Sequence, residues 1–279
     1  MTRPLVLKIG GELLEDRAHL ASVVGAVAAI AAAGAPIVGS SMVIVHGGGK
    51  EIDAALKAAG LAKRQVDGLR ITDEATLDVV VSVLAGAVNT RLVAALNTAG
   101  VPAVGLTGAD GACGLSIAAA PHQSVDGRVV DLGRVGVPDG DADMRVLHTL
   151  TVGGFVPVIA CIGMGRDGRL FNVNADTFAG HLAARLGARR LVIAGTTAGV
   201  LDADGATLPV LSADAVATLV GNGTATAGMI AKLRACEHAL AGGVDDVVIV
   251  DGRQLSAIET AAVSGAPLAA TRLVRMVPA

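Results

Sequence analysis

The sequence predicts an α/β fold in which helices cover a mainly parallel sheet. Short apolar runs of strand length alternate with longer helical segments, which is the pattern of successive βα units. The core has to be built from Ala, Val, Leu and Ile, because 52% of the 279 residues are hydrophobic and only 1% are aromatic. Such side chains suit helices laid closely on a parallel sheet that is buried on both faces.

Each predicted element follows from a local pattern. Short continuous apolar runs predict strands at residues 5–9, 42–45, 101–106, 156–162, 191–194 and 247–250. Longer segments between them predict helices at 18–33, 51–59, 73–99, 175–186, 213–220, 230–241 and 256–264. The helix at 73–99 has a favourable start, since Thr72 or Asp73 can cap it and Glu74 lies in its first turn.

One region departs from this alternation. Residues 111–143 carry scattered glycines, Pro121, Pro138 and a mixed-charge stretch at 126–128, which predicts hairpins and loops inserted after the strand at 101–106. We expect this insertion to cross the edge of the sheet. Apolar continuity is weakest near Gly187, so two lobes are expected, at 1–187 and 188–279.

Composition and charge exclude several classes of function. A net charge of −3 and the absence of Trp and Tyr argue against a nucleic-acid partner. The three cysteines are widely spaced and odd in number, which favours buried free thiols in a reducing cytoplasm over disulfides or a zinc site. The N-terminus lacks the apolar stretch of a signal peptide.

The uncharged stretch at 20–45 is long enough to span a membrane. It is rich in Ala, Val and Gly, and a cluster of Gly, Pro and Ser interrupts it. These features favour a buried helix, a loop and a strand, so no membrane partner is expected.

Two glycine-rich loops follow predicted strands. Lys8 leads into Gly10 and Gly11, and His46 leads into three glycines at 47–49 that open a helix. Backbone N–H groups without side chains can bind an anion at the carboxyl ends of neighbouring strands. Turn geometry alone would explain either loop, but the pair together with Lys8 favours a phosphate or carboxylate site.

Two apparent nucleotide motifs fail on closer inspection. Residues 46–51 lack the GxxxxGK[ST] spacing of a P-loop. Residues 163–168 satisfy GxGxxG, but an extended segment at 169–173 follows instead of a helix, which predicts a hairpin.

Further polar residues stand where ligands are expected. Asn172, Asn174 and Asp176 precede or open a helix, and capping requires fewer polar side chains than these three. Lys232 lies in the first turns of a late helix, where only an anionic ligand would favour a cation. Arg70 is either a bidentate carboxylate ligand or an ordinary surface arginine.

No hydrolytic triad is indicated. GxSxG is absent, and the histidines at 19, 122, 148, 181 and 238 lack close ligand spacing, so we expect them at the surface or the rim of the core.

Taken in order, these motifs resemble those of the amino acid kinase family. The resemblance runs from about Leu5 to Arg275, and its most specific parts are residues 67–73, 105–111, 130–136 and 171–176. It implies a three-layer α/β/α sandwich with an open, mainly parallel eight-stranded sheet. The N-terminal lobe would bind an acyl amino acid and dimerise, and the C-terminal lobe would bind ATP.

Within the family, the resemblance is to members that phosphorylate the side-chain carboxylate of N-acetyl-L-glutamate in arginine biosynthesis. The implied product is N-acetyl-L-glutamyl 5-phosphate, and Mg²⁺ would be carried by the nucleotide with no metal site on the protein. Only seven residues precede Lys8, so the additional N-terminal helix of arginine-inhibited hexameric relatives is not expected. A homodimer without arginine feedback is implied.

The resemblance also implies residue roles. Lys8 and Lys232 would neutralise the transferring phosphoryl group, and Asp176 would position both lysines. N-acetyl-L-glutamate would be held by Gly48, Gly49, Arg70 and Asn172. The phosphates and the rest of ATP would be held by Gly10, Gly11, Gly47, Thr196, Thr197, Gly199, Gly228 and Met229.

Two departures from the family pattern concern the nucleotide. Thr196 stands where an Asp is usual, and Ala227 stands where Gly is common. With three Phe as the chain's only aromatic residues, adenine would be held mainly by aliphatic side chains and backbone. Two alternatives stay open: a kinase for carrier-linked aminoadipate or glutamate, and a non-catalytic ligand-binding relative.

Overall fold

The computed structural model describes residues 3–34, 41–202, 204–221, 227–263, 265–267 and 269–275. Within these ranges the strands are β1 Leu5–Ile9, β2 Met42–His46, β3 Gln65–Val66, β4 Leu69–Arg70, β5 Ala103–Thr107, β6 Ser116–Ala118, β7 His122–Gln123, β8 Val129–Val130, β9 Val135–Pro138, β10 Val156–Ala160, β11 Ile162–Met164, β12 Leu170–Val173, β13 Arg190–Gly195, β14 Val210–Ser212, β15 Asp246–Asp251 and β16 Ala270–Val274.

The helices cover both faces of the main sheet. They are α1 Glu12–Glu15, α2 Arg17–Gly34, α3 Gly49–Ala58, α4 Glu74–Val81, α5 Asn89–Thr98, α6 Arg145–Val152, α7 Ala175–Arg185, α8 Ala213–Gly221, α9 Ala227–Ala241 and α10 Leu255–Val263. A π-helical turn, Ser82–Val88, joins α4 to α5, and a short 3₁₀ turn covers Asp110–Ala112.

The main sheet has eight strands in the order β14-β16-β15-β13-β1-β2-β10-β5. All adjacent pairs are parallel except β15 and β16, which confirms the expected open, mainly parallel α/β sheet. The six strands predicted from apolar runs lie in this sheet, but the segment predicted as one strand at 156–162 is divided. β10 belongs to the main sheet, whereas β11 begins at Ile162 in a second sheet.

Two apolar layers enclose the sheet. Alternate residues of a strand face opposite sides, so Leu5 and Leu7 of β1 pack in the layer under α2 and α10, while Val6 packs in the layer under α7 and α9. Lys8 shares the face of Val6. The period of two along β1 therefore directs this lysine toward α7 and α9.

Within the insertion after β5, β6 pairs with β9 and β7 pairs with β8, both antiparallel; β6 and β9 also join β11 and β12 in a smaller four-stranded sheet, β11-β12-β9-β6. This confirms the prediction of hairpins at 111–143. The GxGxxG segment forms the turn between the antiparallel strands β11 and β12. In this turn Gly165 N–H donates to the carbonyl oxygen of Arg169 at 2.8 Å, and Gly168 has φ +80°. The prediction of a hairpin there is also confirmed.

The long helix predicted at 73–99 is interrupted by its π-helical turn. Asp73 caps α4 through its carboxylate, which accepts from Thr76 N–H at 2.9 Å. By length and composition Glu74–Thr98 could cross a membrane, with a mean hydropathy of 1.9, and 39% of its apolar stretch is buried. Core helices of water-soluble proteins meet the same criteria, and here Leu92 and Leu96 pack in the layer beneath the sheet.

The uncharged stretch at 20–45 contributes the greater part of α2 and then most of β2. Residues 35–40 between these elements lie outside the described ranges, as does Ser264 at the end of the helix predicted at 256–264. Gly187 lies between α7 and β13, where the lobe boundary was expected. The main sheet runs past this point without a break, because β13 pairs with β1.

Candidate functional site

The glycine loops meet at the carboxyl edge of the main sheet. In the registers of β1 with β2 and with β13, Ile9 is opposite His46 on one side and Ala194 on the other. The chain therefore leaves all three strands at the same level. Since β1 lies where the sheet order diverges, this edge is the place at which open α/β sheets bind ligands.

The two glycine loops are packed directly on each other. A Cβ atom at Gly11 would lie 2.6 Å from Gly48 N and 3.0 Å from Gly49 N. No side chain fits between them, so glycine at position 11 is a requirement of close backbone approach. The result is a shallow cradle of backbone groups at the start of α3, where the helix dipole favours an anion.

Three charged side chains lie next to the glycine loops, since Lys8 precedes Gly10 and a Cβ atom at Gly47 would lie 3.5 Å from Ala175 Cβ, beside Asp176. Asp176, at the start of α7, stands 2.9 Å from Lys8 Nζ through Oδ1 and accepts a hydrogen bond from Lys232 Nζ at 3.0 Å through Oδ2. Lys8 and Asp176 are only 7% and 8% exposed. One carboxylate thus holds two ammonium groups, and the cluster keeps one net positive charge for an incoming anion.

The pKa values follow from burial and from this arrangement. Burial alone would raise the pKa of Asp176, but the charges of Lys8 and Lys232 outweigh it and lower the value to about 2. For Lys8, burial lowers the pKa, but the charge and hydrogen bond of Asp176, with the smaller effects of Glu12 and Cys161, together outweigh it, so the net shift is upward. Burial and the charge of Lys8 together lower the pKa of Lys232, against the opposing effect of Asp176.

Close packing of α7 against α9 brings Asp176 and Lys232 together. A Cβ atom at Gly180 of α7 would lie 2.6 Å from the carbonyl oxygen of Ala235 on α9. Since Gly180 lacks a side chain, the two helix backbones approach closely enough for the ion pair to form.

Arg70 lies at the rim of the cradle. Its Nη2 donates to Asp53 Oδ1 at 2.5 Å and to the Gly49 carbonyl at 3.3 Å. Its Nη1 is buried without a hydrogen-bond partner among the described residues, and the side chain is only 10% exposed. A buried donor without an acceptor is costly, so this guanidinium is suited to an anionic ligand and is not an ordinary surface arginine.

Asn172 and Asn174, which precede Asp176, have different roles in the structure. Asn174 caps α7, accepting from Asp176 N–H and Thr177 N–H, so its role is explained without a ligand. Asn172 on β12 donates to Thr72 Oγ1 at 3.1 Å, which links it to the segment that carries Arg70.

The residues expected to hold the nucleotide are less closely assembled. Thr196 and Thr197 follow β13 and are exposed. Gly228 is exposed at the start of α9, where a Cβ atom would meet no described residue within 4 Å. Met229, the next residue of α9, is partly exposed. Gly199 has φ +119° and packs against Thr271, a contact that accounts for this glycine without a ligand.

Several residues around the site could not be identified from sequence patterns. Glu12 has its carboxylate over Gly10, with Oε1 2.7 Å from where a Cβ atom on that glycine would lie. Asp53 anchors Arg70 and Lys63 from the outer face of α3. Neither residue belongs to a motif, because its role depends on which elements pack together.

The three thiols are buried, whereas the other histidines range from buried to exposed. Cys113, Cys161 and Cys236 are free and buried, as predicted. Among the histidines expected at the surface or rim, His181 is only 5% exposed and stacks on His238 at 5.9 Å between ring centroids. The α7–α9 contact buries it, a consequence of packing that spacing along the chain does not reveal.

Known proteins resemble this chain over most of its length. Residues 3–251 match the sequence model of the amino acid kinase family. The acetylglutamate kinase of Granulibacter bethesdensis is 43% identical over 254 residues, covering 90% of this chain and 83% of that protein. The acetylglutamate kinase of Novosphingobium aromaticivorans is 46% identical over 227 residues, covering 77% and 74%.

A solved structure shows the same fold. N-acetylglutamate synthase from Neisseria gonorrhoeae, determined with coenzyme A and N-acetyl-glutamate, superposes with a TM-score of 0.80 at 25% identity. The superposition covers 99% of this chain, which spans 60% of that longer protein.

Proposed function

The chain belongs to the amino acid kinase family, and we propose that it phosphorylates the side-chain carboxylate of N-acetyl-L-glutamate with ATP to give N-acetyl-L-glutamyl 5-phosphate. The observation that carries this proposal is the pairing of Lys8 and Lys232 by one buried carboxylate next to the glycine loops. The reaction would serve arginine biosynthesis, in a soluble enzyme of the cytoplasm.

The acceptor needs no general base. A side-chain carboxylate has an unperturbed pKa of about 4.3 and is therefore an anionic nucleophile at neutral pH. One of its oxygens attacks the γ-phosphorus of ATP, the bond from that phosphorus to the bridging oxygen breaks, and ADP leaves. This chemistry agrees with the absence of a catalytic triad in the sequence.

Neutralisation of negative charge is then the principal requirement for catalysis. We assign it to Lys8, on the β1 side, and Lys232, on the α9 side, both directed at the transferring phosphoryl group. Asp176 is a positioning residue that holds the two ammonium groups in place against their mutual repulsion. The backbone N–H groups of Gly10, Gly11 and Gly47 would line the path of the phosphates.

The acceptor would lie against α3 and β4. Arg70 would bind its α-carboxylate through the unpartnered Nη1, leaving the side-chain carboxylate toward ATP. Gly48, Gly49 and Asn172 would complete the acceptor site with backbone and amide donors.

ATP would lie on the β13 and α9 side of the cluster. Thr196, Thr197, Gly199, Gly228 and Met229 are proposed to contact it, with hydroxyl and backbone groups in place of a carboxylate at Thr196. Phe178 and Phe171 are buried, and Phe155 lies at the amino end of β10, away from the carboxyl ends of the strands. Adenine would therefore lie on aliphatic side chains and backbone.

Mg²⁺ is proposed to arrive on the nucleotide. The described ranges contain no group of three or more His, Cys, Asp or Glu side chains that could hold a metal ion. The charge of Mg²⁺ would add to that of the two lysines. We further propose acceptor binding and dimerisation by residues 1–187, ATP binding by residues 188–279, and a homodimer in solution.

A substrate panel tests the proposal. ADP release should be measured with Mg-ATP and N-acetyl-L-glutamate, glutamate, aspartate, or free or carrier-linked aminoadipate. We expect turnover with N-acetyl-L-glutamate to exceed that with every other acceptor. Preference for a carrier-linked acceptor would overturn the assignment, and ATP binding by calorimetry without turnover of any acceptor would indicate a non-catalytic relative.

A further inference from the structure

A buried histidine beside the glycine loop has no part in the mechanism above. His46, the last residue of β2, is 0% exposed, and Asn89, the first residue of α5, is 5% exposed. The amide nitrogen of Asn89 lies 3.0 Å from His46 Nε2 and 2.9 Å from the carbonyl oxygen of Val158. On the other side of the ring, His46 Nδ1 lies 3.0 Å from the carbonyl oxygen of Gly47.

These contacts determine where the imidazole carries its proton. A backbone carbonyl can only accept, so the Val158 contact fixes which end of the Asn89 amide is the donor. The same NH₂ group faces His46 Nε2, which must therefore accept. The proton of the neutral ring is then on Nδ1, which donates to the Gly47 carbonyl. Burial lowers the pKa of His46 to about 4, so the ring is neutral at physiological pH.

The Gly47 carbonyl belongs to the peptide that also carries the N–H of Gly48. In a trans peptide these two groups point in opposite directions, and no cis bond occurs among the described residues. The hydrogen bond from His46 holds the carbonyl inward, so the Gly48 N–H points away from the sheet. Within the described part of the chain this N–H has no backbone acceptor, and Gly48 N lies against Gly11 in the cradle.

The surrounding elements hold Asn89 in this position. A Cβ atom at Gly105 of β5 would lie 2.1 Å from Asn89 Oδ1, so the amide occupies space that only a glycine leaves free. The π-helical turn ends at Val88, immediately before Asn89. Its Leu84 and Val88 side chains pack against Gly48, where a Cβ atom would be 2.8 Å from Leu84 Cδ2 and 3.4 Å from Val88 Cγ2. Such turns occur often at functional sites.

We propose that His46 is a positioning residue: in the Nδ1–H tautomer set by Asn89, it fixes the Gly47–Gly48 peptide so that the Gly48 N–H is presented to the anionic acceptor. The identity of that acceptor rests on the proposed function. The tautomer and the orientation of the peptide rest on the geometry alone.

The first test concerns the tautomer and needs no activity. Long-range ¹H–¹⁵N correlation spectra of the ¹⁵N-histidine-labelled protein should show His46 with a protonated Nδ1 and an unprotonated Nε2, unchanged from pH 8 to about pH 5.5, consistent with its lowered pKa. The His46→Asn spectrum assigns the signal. In Asn89→Asp the donor becomes an acceptor, so Nε2 should gain a proton. An Nε2–H tautomer in the native protein would overturn the proposal.

The second test compares two replacements of His46. In His46→Asn the amide nitrogen can stand where Nδ1 stands and still donate to Gly47, whereas His46→Gln extends the amide toward Asn89 and loses that bond. We expect His46→Gln to raise the KM for N-acetyl-L-glutamate about tenfold, the value of one hydrogen bond, with the KM for ATP within about twofold. His46→Asn should raise the acceptor KM by less than about threefold.

His148→Gln, the same exchange at an exposed position of α6, is the control and should match the native enzyme. Equal acceptor KM values for His46→Asn and His46→Gln, or a change confined to ATP, would contradict the positioning role. If the native enzyme fails to phosphorylate N-acetyl-L-glutamate, the proposed function fails, and the tautomer spectra still decide the geometry.

Discussion

Gly180 of α7 lies so close to Ala235 of α9 that a Cβ atom on the glycine would stand 2.6 Å from the alanine carbonyl oxygen. The neighbouring atom belongs to the α9 backbone and not to a flexible side chain, so a methyl group at Gly180 could be accommodated only if one of the helices moved. This contact fixes the separation of the two helices that carry Asp176 and Lys232.

Gly180→Ala should therefore weaken both the fold and the ion pair. The added methyl group forces the helices apart, with a cost of about 1–3 kcal/mol in unfolding free energy that exceeds the gain in helix propensity. We expect a fall in kcat as Lys232 moves away from Asp176. Gly86→Ala is the matched control, since a Cβ atom there meets nothing within 4 Å in the described part of the chain. Chemical denaturation and steady-state kinetics measure the two effects. An unchanged kcat with native stability in Gly180→Ala would contradict this.

Asp176→Asn should change the pH dependence of the reaction. The carboxylate raises the pKa of both lysines, so its removal lets them lose their protons at lower pH. We expect kcat at neutral pH to fall by roughly a hundredfold. The alkaline decline of kcat should also begin at lower pH than in the native enzyme. Measurements of kcat from pH 6 to pH 10 test this. If the alkaline decline of kcat began at the same pH in Asp176→Asn as in the native enzyme, Asp176 would not raise the pKa of the catalytic lysines.

Arg70→Lys tests the carboxylate contact. Lysine keeps the charge but loses the planar guanidinium, including the unpartnered Nη1. We expect kcat/KM for N-acetyl-L-glutamate to fall at least about tenfold, with the KM for ATP within about twofold. The same exchange at Arg145, whose side chain is 89% exposed, should have no effect. If Arg70→Lys lowered the affinity for ATP alone, Arg70 would contact the nucleotide and not the acceptor, which would contradict the proposal.

The three thiols should be unreactive in the native state. Burial raises the pKa of Cys113 and of Cys161 to about 12, and that of Cys236 upward as well, so the reactive thiolate is scarce. Titration with a disulfide reagent at pH 8 should detect no thiol in the folded protein and all three after unfolding. Stoichiometric reaction of one cysteine in the folded protein would contradict the buried placement.

The sequence was informative wherever one local pattern dominates. Continuous apolar runs located β1, β2 and β13 to within a residue or so at each end, since a strand buried on both faces needs apolar residues throughout. The weak strands β14 and β16 were missed, because three residues in one and a polar Thr and Arg in the other give little apolar signal.

Features that depend on packing could not be predicted. The π-helical turn, the burial of His181 and the contact of Asn89 with His46 all join segments that are far apart in sequence. Asn174 was expected to share a ligand role, and the structure uses it as a helix cap. The pairing of Lys8 and Lys232 through Asp176 was predicted only by the family resemblance, since the spacing of these residues along the chain does not indicate that they meet.

The central claim is that Lys8 and Lys232, held by Asp176, promote phosphoryl transfer to the carboxylate of N-acetyl-L-glutamate. The most direct measurement is the formation of acyl hydroxamate when Mg-ATP, N-acetyl-L-glutamate and hydroxylamine are incubated with the native enzyme, Lys8→Ala and Lys232→Ala, with the exposed Lys57→Ala as control. The account predicts hydroxamate from the native enzyme and Lys57→Ala, and rates lower by at least about a hundredfold in the other two variants, each folded by circular dichroism. Absence of hydroxamate with the native enzyme, or a native rate in Lys8→Ala, would contradict it.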